Sequence, residues 1–311
     1  MFGDFGIIDH EVAIAPASDQ DGAGIDPLPA RMRAFGVAQV IGRDEHGDTV
    51  RCVVDFTHRE LRGIGKRVYR LGLAGNYGID EAGIRAALDR GLNYLYLTPR
   101  GPMAKPLREA LARDRDKIVV ATGPLVGWFG GSVRRSAERN LKKLGTDYID
   151  VFQLPWLGVG SAWTDATMRE LEHLKTSGKV RALGVSIHDR ERAGKLAEDS
   201  PLDCLMIRYN AAHPGAERDI FPHCDKRKPT IIAYTATRWR KLLKAPSGWK
   251  GNVMTAGDCY RFCLSSPHVD VTLTGPASTA QLDENIKALD KGPLTPEENT
   301  WMREFGKAVH G

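Results

Sequence analysis

Residues 132–154, SVRRSAERNLKKLGTDYIDVFQL, contain one complete helix-and-strand unit. The first half places apolar residues at helical spacing and stops at Gly145, and a glycine just past the last helical residue is typical of a helix C-terminus. The second half, IDVFQL at 149–154, is apolar almost without interruption, as strands buried on both faces are. The stretch therefore predicts a helix that leads into a buried parallel strand.

The same alternation continues from Arg70 to the end of the chain. The apolar runs are RLGL (70–73), NYLYL (93–97), KIVVAT (117–122), IDVFQL (149–154), RALGVS (181–186), DCLMIR (203–208), TIIAY (230–234) and VDVTLT (269–274). Amphipathic segments lie between most of them, and Gly91 and Gly178 end two of these segments as Gly145 does. Eight such units in roughly 240 residues predict an α/β fold, a (β/α)8 TIM barrel. Function in such a barrel lies on the loops that follow the strands.

A doubly wound open sheet is the alternative architecture for alternating helices and strands. That fold is expected to carry a Gly-rich phosphate turn after an early strand. The segment LGLAGNYG at 71–78 follows the first run but lacks the G-x-G-x-x-G pattern, so the closed barrel is preferred.

Residues 1–66 differ in composition from the rest of the chain. The first thirty are rich in Gly, Pro, Asp and Ala with weak periodicity, which predicts an extended N-terminal arm. The runs VAQVIGR and TVRCVVDF flank a turn-forming segment at 44–48, which predicts a β-hairpin over 37–55 outside the barrel. We therefore divide the chain into an arm-and-hairpin extension, 1–66, and a barrel, 67–311.

The charge and apolar content limit the classes of partner. Forty-four basic and 39 acidic residues leave a formal charge of +5, too small a surplus to indicate a nucleic-acid partner. No run approaches the roughly 18 apolar residues of a membrane helix, so we expect neither a membrane partner nor a membrane location. The five cysteines have no regular spacing and indicate buried thiols rather than a metal site, and the cytoplasm is the expected location.

Five segments at or near the predicted strand ends carry a resemblance to a known family. They are YRLGLAGNYG (69–78), KLGTDYIDVFQLPW (143–156), GKVRALGVSIHD (178–189), IIAYTATRW (231–239) and CLSSPHVDVTLTGPASTAQLDENIKAL (263–289). In this order they resemble the aldo/keto reductases over about residues 66 to 292. The resemblance implies a TIM barrel that binds NADP or NAD.

The resemblance also implies which positions would carry the chemistry. The family reduces carbonyls with a Tyr whose pKa is lowered by a Lys that an Asp holds, beside a His that orients the substrate. The Asp falls on Tyr96, the Tyr on Gly101 or Arg100, the Lys on Gly123 and the His on Pro155. A phenol of pKa near 10 is a poor acid–base catalyst without a nearby cation. We therefore expect ordinary reductase activity to be absent and leave open whether the chain is an enzyme.

The cofactor positions of the family are better represented in this sequence. They fall on Ser186, Tyr234, Thr235, Gly275, Ser278, Gln281, Glu284 and Asn285, with Tyr234 under the nicotinamide and the last five at the adenosine end. Ser278 has a second interpretation as an N-cap that needs no nucleotide. The two positions that hold the carboxamide fall on Ile187 and Met206, which have no amide. The basic residues Arg238, Arg240, Lys241 and Lys244 either face a pyrophosphate or are solvated.

Several polar residues remain at the predicted mouth of the barrel. Tyr96, Arg100, His188 and Arg208 are the candidate catalytic or anion-binding residues, with Trp128 and Trp156 flanking the opening. His188 is either a base oriented by an acid such as Asp189, or an exposed residue before a helix that Asp189 caps.

Three functions are compatible with these features. The first is an NAD(P)(H)-binding barrel without conventional carbonyl reduction. The second is a non-catalytic scaffold or regulatory protein that binds a protein partner through its N-terminal extension. The third is a non-redox enzyme that uses His188, Arg100 and Arg208 on a small anionic ligand.

Overall fold

A computed structural model describes residues 37–43, 49–98 and 101–310 of the chain. Eight parallel strands close into a barrel in sequence order. They are β5 (Leu71–Ala74), β6 (Tyr94–Tyr96), β7 (Val119–Thr122), β8 (Ile149–Leu154), β9 (Val180–Ile187), β10 (Cys204–Arg208), β11 (Thr230–Tyr234) and β12 (Val271–Thr274). Each strand lies within or overlaps one of the apolar runs, so the closed barrel is confirmed and the open sheet is excluded.

Helices follow most strands and surround the barrel. They are α1 (Glu81–Asp89), α2 (Ala104–Asp114), α3 (Gly130–Leu144), α4 (Asp165–Thr176), α5 (Arg190–Glu198), α6 (Ala216–Asp219), α7 (Ala256–Leu264), α8 (Thr279–Ala288) and α9 (Pro296–His310). Gly145 ends α3 with φ 63°, a left-handed conformation that glycine adopts without strain, as the sequence predicted.

Two hairpins precede the barrel. The strands β1 (Val37–Arg43) and β2 (Thr49–Asp55) pair antiparallel in a sheet of their own, as predicted for residues 37–55. The arm, 1–36, and the hairpin turn, 44–48, lie outside the described residues, and the domain division at 66/67 stays a prediction. The second hairpin joins β3 (His58–Leu61) to β4 (Lys66–Tyr69) and was not predicted. In the sequence VYRLGL (68–73) only Arg70 separates β4 from β5, and no turn-forming segment marks the boundary between them.

The β3–β4 hairpin closes the N-terminal end of the barrel. Leu61 and Val68 pack into the same interior cluster as barrel residues such as Val151. At this end Asp150 Oδ1 lies 2.7 Å from Lys66 Nζ, and its Oδ2 lies 2.8 Å from an Arg115 amino group. Removing one partner of a buried ion pair leaves an uncompensated charge and is strongly destabilising. The ion pairs of Asp150 therefore hold the hairpin against the floor of the barrel. Ligand access is therefore left to the opposite end.

The remaining features bear on the function classes considered above. Over the part of the chain that is described, no helix is both long enough and apolar enough to cross a membrane. Within those same residues, no group of His, Cys, Asp or Glu side chains is arranged to hold a metal ion. Cys204, Cys224, Cys259 and Cys263 are free and buried, as expected for four of the five cysteines.

Candidate functional site

The candidate site is the C-terminal mouth of the barrel, where three adjacent strands end in polar side chains. Ile207 on β10 is in register with Ile187 on β9, and Arg208 is in register with Tyr234 on β11. The chain therefore brings His188, Arg208 and Tyr234 to the ends of three neighbouring strands. Cys204, Met206 and Tyr234 belong to or contact the barrel-interior cluster. Because residues at i and i+2 share one face of a strand, Arg208 also lies on the interior side.

Tyr234 and His188 form a direct hydrogen bond across this mouth. The Tyr234 hydroxyl lies 2.6 Å from Nε2 of His188, and the imidazole tautomer decides which of the two donates. The Trp156 ring centroid lies 5.3 Å from that of His188 on the other side. Asp189 accepts a hydrogen bond from the Arg192 amide and caps α5, as one of the two interpretations predicted. The accompanying expectation of an exposed His188 is wrong, because its ring is half-buried against Tyr234.

Burial disfavours the charged form of both partners of this hydrogen bond. It raises the pKa of Tyr234 to about 12, against the opposing effects of the Ser186 hydroxyl and the Arg208 charge. Burial, together with the Arg208 charge, lowers the pKa of His188 below its usual value. A neutral imidazole therefore faces a neutral phenol. The Tyr234 hydroxyl donates when His188 carries its proton on Nδ1, and Nε2–H donates when the proton is on Nε2.

Arg208 is half-buried and has no hydrogen-bond or ion-pair partner within residues 55–98 and 101–310, whose side chains the structure describes. Other arginines of low exposure are paired: Arg115 with Asp150 at 2.8 Å, Arg261 with Glu298 at 2.7 Å and Arg303 with Glu217 at 2.7 Å. The sequence placed Arg208 at a strand end, and the structure adds that its charge is uncompensated among these residues.

The floor of the mouth is polar and incompletely hydrogen-bonded. Burial raises the pKa of the partly buried Tyr96, and an interaction with the Gln153 amide opposes this effect. Gln153 Nε2 lies 3.4 Å from the Met206 sulfur, whereas its Oε1 has no partner in hydrogen-bond geometry among the described residues. Unpaired buried polar atoms are uncommon in folded proteins. The Gln153 oxygen at the floor of the mouth can therefore accept a further hydrogen bond.

Gly123, at the end of β7, has no room for a side chain. A Cβ atom at this position would lie 2.0 Å from the backbone carbonyl oxygen of Gln153. That distance is far inside van der Waals contact, and the obstructing atom belongs to a barrel strand. Any residue other than glycine would therefore require β7 or β8 to move.

Comparison with known proteins identifies the family. Residues 77–244, more than half of the chain, match the aldo/keto reductase family. The chain belongs to that family. It is 28% identical over 165 residues to an aldo-keto reductase of Bacillus subtilis (strain 168), covering 49% of this chain and 50% of the relative.

Two further relatives come from Escherichia coli (strain K12). A methylglyoxal reductase is 26% identical over 184 residues, covering 56% of this chain and 64% of the relative. An NADH-specific methylglyoxal reductase is 24% identical over 213 residues, covering 57% of this chain and 65% of the relative. This aldo/keto reductase family member thus spans half to two thirds of the length of these three relatives.

A solved aldo-keto reductase from Bacillus halodurans, in its holo form, has the same fold. The TM-score is 0.67 at 22% sequence identity, and the match covers 81% of this chain and 97% of that one. The overall barrel of the family is therefore retained even where the two sequences differ strongly.

The positions at which the sequence resemblance expected the catalytic tetrad lie, where they are described, around the mouth. Tyr96 ends β6, Gly123 follows β7 and Pro155 follows β8. Gly101 has φ 124°, a conformation that side chains other than glycine rarely adopt. Arg100, the alternative position for the tyrosine, lies outside the described residues.

Four of the five positions expected at the adenosine end lie in the first turns of α8 or just before it, and the fifth, Gly275, follows β12. Ser278 caps the helix by accepting from the Gln281 amide at 3.3 Å, and Gln281 Oε1 accepts from the Ala277 amide at 2.9 Å. Glu284 is exposed, whereas Asn285 is buried and donates to Thr274 Oγ1 at 3.1 Å. Gln281 and Glu284 are therefore accessible, while Asn285 fixes the helix to the barrel.

Tyr77 is a mouth residue that sequence reasoning missed. A Cβ atom on Gly275 would lie 2.3 Å from a Tyr77 ring carbon, so the exposed Tyr77 ring lies directly against Gly275. The glycine permits this contact between the loops after β5 and β12. The aromatic in the LGLAGNYG segment was the available signal, but its partner lies almost 200 residues away in sequence.

The loop after β11 is held in an unusual backbone conformation. Thr235, Arg238, Trp239 and Arg240 all have positive φ, between 49° and 69°. The Asn210 amide donates to the Thr235 carbonyl at 2.9 Å, which ties this loop to the end of β10. Arg238 donates to the carbonyl oxygens of Val309 and His310 on α9. The other basic residues of the loop, Arg240, Lys241 and Lys244, are exposed.

Proposed function

We propose that this aldo/keto reductase family member binds NAD(P)(H) at the barrel mouth and does not reduce simple carbonyls by the usual tyrosine–lysine pair. The observation that carries the proposal is the contact at Gly123. Since a Cβ there would lie 2.0 Å from the Gln153 carbonyl oxygen, no lysine side chain fits at that position. Without an ammonium group nearby, a phenol at this mouth keeps a high pKa and donates protons slowly at neutral pH.

Binding of the adenosine half of the dinucleotide is supported by the hydrogen-bonding groups at the start of α8. This ten-residue helix presents its N-terminus beside Ser278, and such a terminus attracts a phosphate. Gln281 and Glu284 are exposed there and can hydrogen-bond an adenine and its ribose. Gly275 and Thr235, at the ends of β12 and β11, complete the proposed cofactor-binding set on that side of the mouth.

Binding of the nicotinamide half of the dinucleotide is supported mainly by one aromatic ring. Tyr234 would stack on the nicotinamide, with Ser186 beside its hydroxyl. Ile187 and Met206 are buried and apolar, so they offer no hydrogen bond to the carboxamide. A bound nicotinamide would supply hydride chemistry. Among the relatives, one is a methylglyoxal reductase specific for NADH, which supports a nicotinamide nucleotide as the ligand.

Calorimetry with NADPH, NADH and ADP tests the proposal. Two missing neutral hydrogen bonds of about 1 kcal/mol each weaken binding about 30-fold, so we expect micromolar or weaker dissociation constants. ADP should bind nearly as well as the dinucleotides. Glu284→Ala should weaken all three, whereas Glu304→Ala, which removes an exposed carboxylate from α9, should not. Nanomolar binding of a whole dinucleotide would contradict the account of the nicotinamide half.

An activity assay tests the catalytic part separately. With methylglyoxal and either reduced nucleotide, we expect no turnover above background. A rate within about tenfold of a typical enzyme median of roughly 10 per second would overturn this expectation.

A second candidate function is that of a non-catalytic interaction protein. The observation that favours it is a group of exposed apolar side chains on the loops after β7 and β8: Leu125 at 65%, Phe129 at 73% and Val159 at 56% exposure. Clustered exposed apolar side chains are typical of surfaces that bind other proteins. Absence of heat with all three nucleotides at millimolar concentration would favour this function over nucleotide binding.

A further inference from the structure

We propose that Arg208 anchors the carboxylate of a small organic acid at the barrel mouth, between the His188–Tyr234 pair and His213. The proposal assigns a class of ligand to the mouth. It rests on the proposed function only in that Tyr234 belongs to both the organic-acid site and the nicotinamide site. The carboxylate would pair with the Arg208 guanidinium, which matches its planar, two-oxygen geometry.

The Arg208 cation lies at the centre of the three strand ends. Arg208 is the last residue of β10, directly between the strand that leads to His188 and the strand that ends at Tyr234. It follows Met206 on the interior face of its strand. A group bound to Arg208 therefore lies over the barrel opening and within reach of the 2.6 Å hydrogen bond between His188 and Tyr234.

Among the described residues, no carboxylate pairs with Arg208. Glu217 and Asp219, the two acidic side chains of the following helix α6, are already paired: Glu217 with Arg303 at 2.7 Å, and Asp219 with Arg190 at 2.7 Å. A half-buried cation without a partner costs free energy that an anionic ligand would recover. Such a group is typical of a binding site rather than of a structural ion pair.

His213 is surrounded by basic side chains. Its Nδ1 lies 3.3 Å from Asn210 Oδ1, and its ring lies 4.9 Å from that of His310. The charges that disfavour protonation of His213 come from Arg208, Arg238, His310 and Arg190, all of them basic. The charged groups that act on His213 between the loops after β10 and β11 are thus all basic, which favours an anion there.

An apolar surface lies beside His188. The Trp156 ring is half-exposed and lies 5.3 Å from the His188 ring, while Met206 lies in the interior below. An organic body attached to the anion can pack against this indole, whereas inorganic phosphate cannot use it. These contacts favour a carboxylate on a small organic molecule over a free inorganic anion.

Benzoate and benzamide provide a matched pair of probes, because they share shape and differ in charge. In calorimetry without nucleotide, we expect benzoate to bind in the millimolar range or tighter and benzamide roughly 10- to 100-fold more weakly. Arg208→Met should abolish benzoate binding, and Arg208→Lys should weaken it. Arg218→Met removes an exposed cation that is paired with Asp219, and it should leave benzoate binding unchanged.

Stability separates a binding role of Arg208 from a structural one. Because its charge is uncompensated among the described residues, Arg208→Met should keep or raise the thermal midpoint; a clear loss of stability would indicate a structural role and overturn the proposal.

Equal binding of benzoate and benzamide, or unchanged benzoate binding by Arg208→Met, would also overturn it. Phosphate binding as tightly as benzoate would show that the site recognises charge alone, which overturns the organic-acid assignment. Separate ADP titrations of the same protein make failure of this site distinguishable from failure of the nucleotide proposal.

Discussion

The Tyr234 hydroxyl lies 2.6 Å from Nε2 of His188, and this bond connects the ends of two strands that are separated by a third. His188 follows β9, Tyr234 ends β11, and the intervening β10 carries Met206 and Arg208 below and beside the bond. The mouth of the barrel is therefore closed on one side by a polar bridge between two neutral side chains.

Removing either end of this bridge should destabilise the fold by a similar amount. His188→Leu leaves a largely buried phenol without its imidazole partner, and Tyr234→Phe leaves the imidazole without the phenol. We expect each to cost about 1–2 kcal/mol, with a coupling of about 1 kcal/mol in the double variant. Urea denaturation at pH 8 of the four proteins measures this coupling. Strictly additive losses would mean that the hydrogen bond contributes nothing.

Gly123→Ala should be strongly destabilising, although it adds only a methyl group. The new Cβ would lie 2.0 Å from a carbonyl oxygen on β8, so two barrel strands must separate at a cost of about 1–3 kcal/mol or more. Gly131→Ala is the matched control. Its nearest neighbour is the Arg135 side chain at 3.4 Å, so replacing this helical glycine should leave stability unchanged or raise it by about 0.5–1 kcal/mol. Equal midpoints for both variants would show that the strand ends adjust freely.

The stability of the protein should fall in mild acid partly through His213. Burial, aided by the surrounding cations, lowers the pKa of His213 from 6.5 to about 4. Between these values the unfolded chain binds a proton that the folded protein does not, so stability declines as pH falls from about 6.5 to 4. His213→Gln keeps a neutral polar side chain and should reduce this decline. Thermal midpoints between pH 7.5 and 4.5 test it, and parallel curves for the two proteins would contradict the assignment.

The barrel could be predicted because its signals are local. A run such as IDVFQL is apolar on both faces of a strand, and all six residues of β8 are buried. A helix C-terminus such as that at Gly145 is recognised from a few neighbouring residues. Gly145 adopts the left-handed conformation and ends α3 where expected. The same local signals located the strand ends and therefore most of the residues of the mouth.

The β3–β4 hairpin could not be predicted from the same kind of signal. Only Arg70 separates its second strand from β5, so only the tertiary structure distinguishes the strand that closes the floor of the barrel from the strand that forms its wall. Asp150 on β8 forms ion pairs with Lys66 on β4 and with Arg115, which directly follows α2.

The sequence by itself determined the order of strands and helices, the family, and the residue types available at the mouth. Only the tertiary structure decided which of those residues meet: His188 with Tyr234 across 46 positions, Tyr77 with Gly275, and Arg208 with no acidic partner among the described residues. The physical reason is the distance along the sequence over which each kind of interaction acts. Secondary structure depends on apolar periodicity and glycine within a few residues, whereas side-chain contacts at a barrel mouth depend on the register of strands that are distant in sequence.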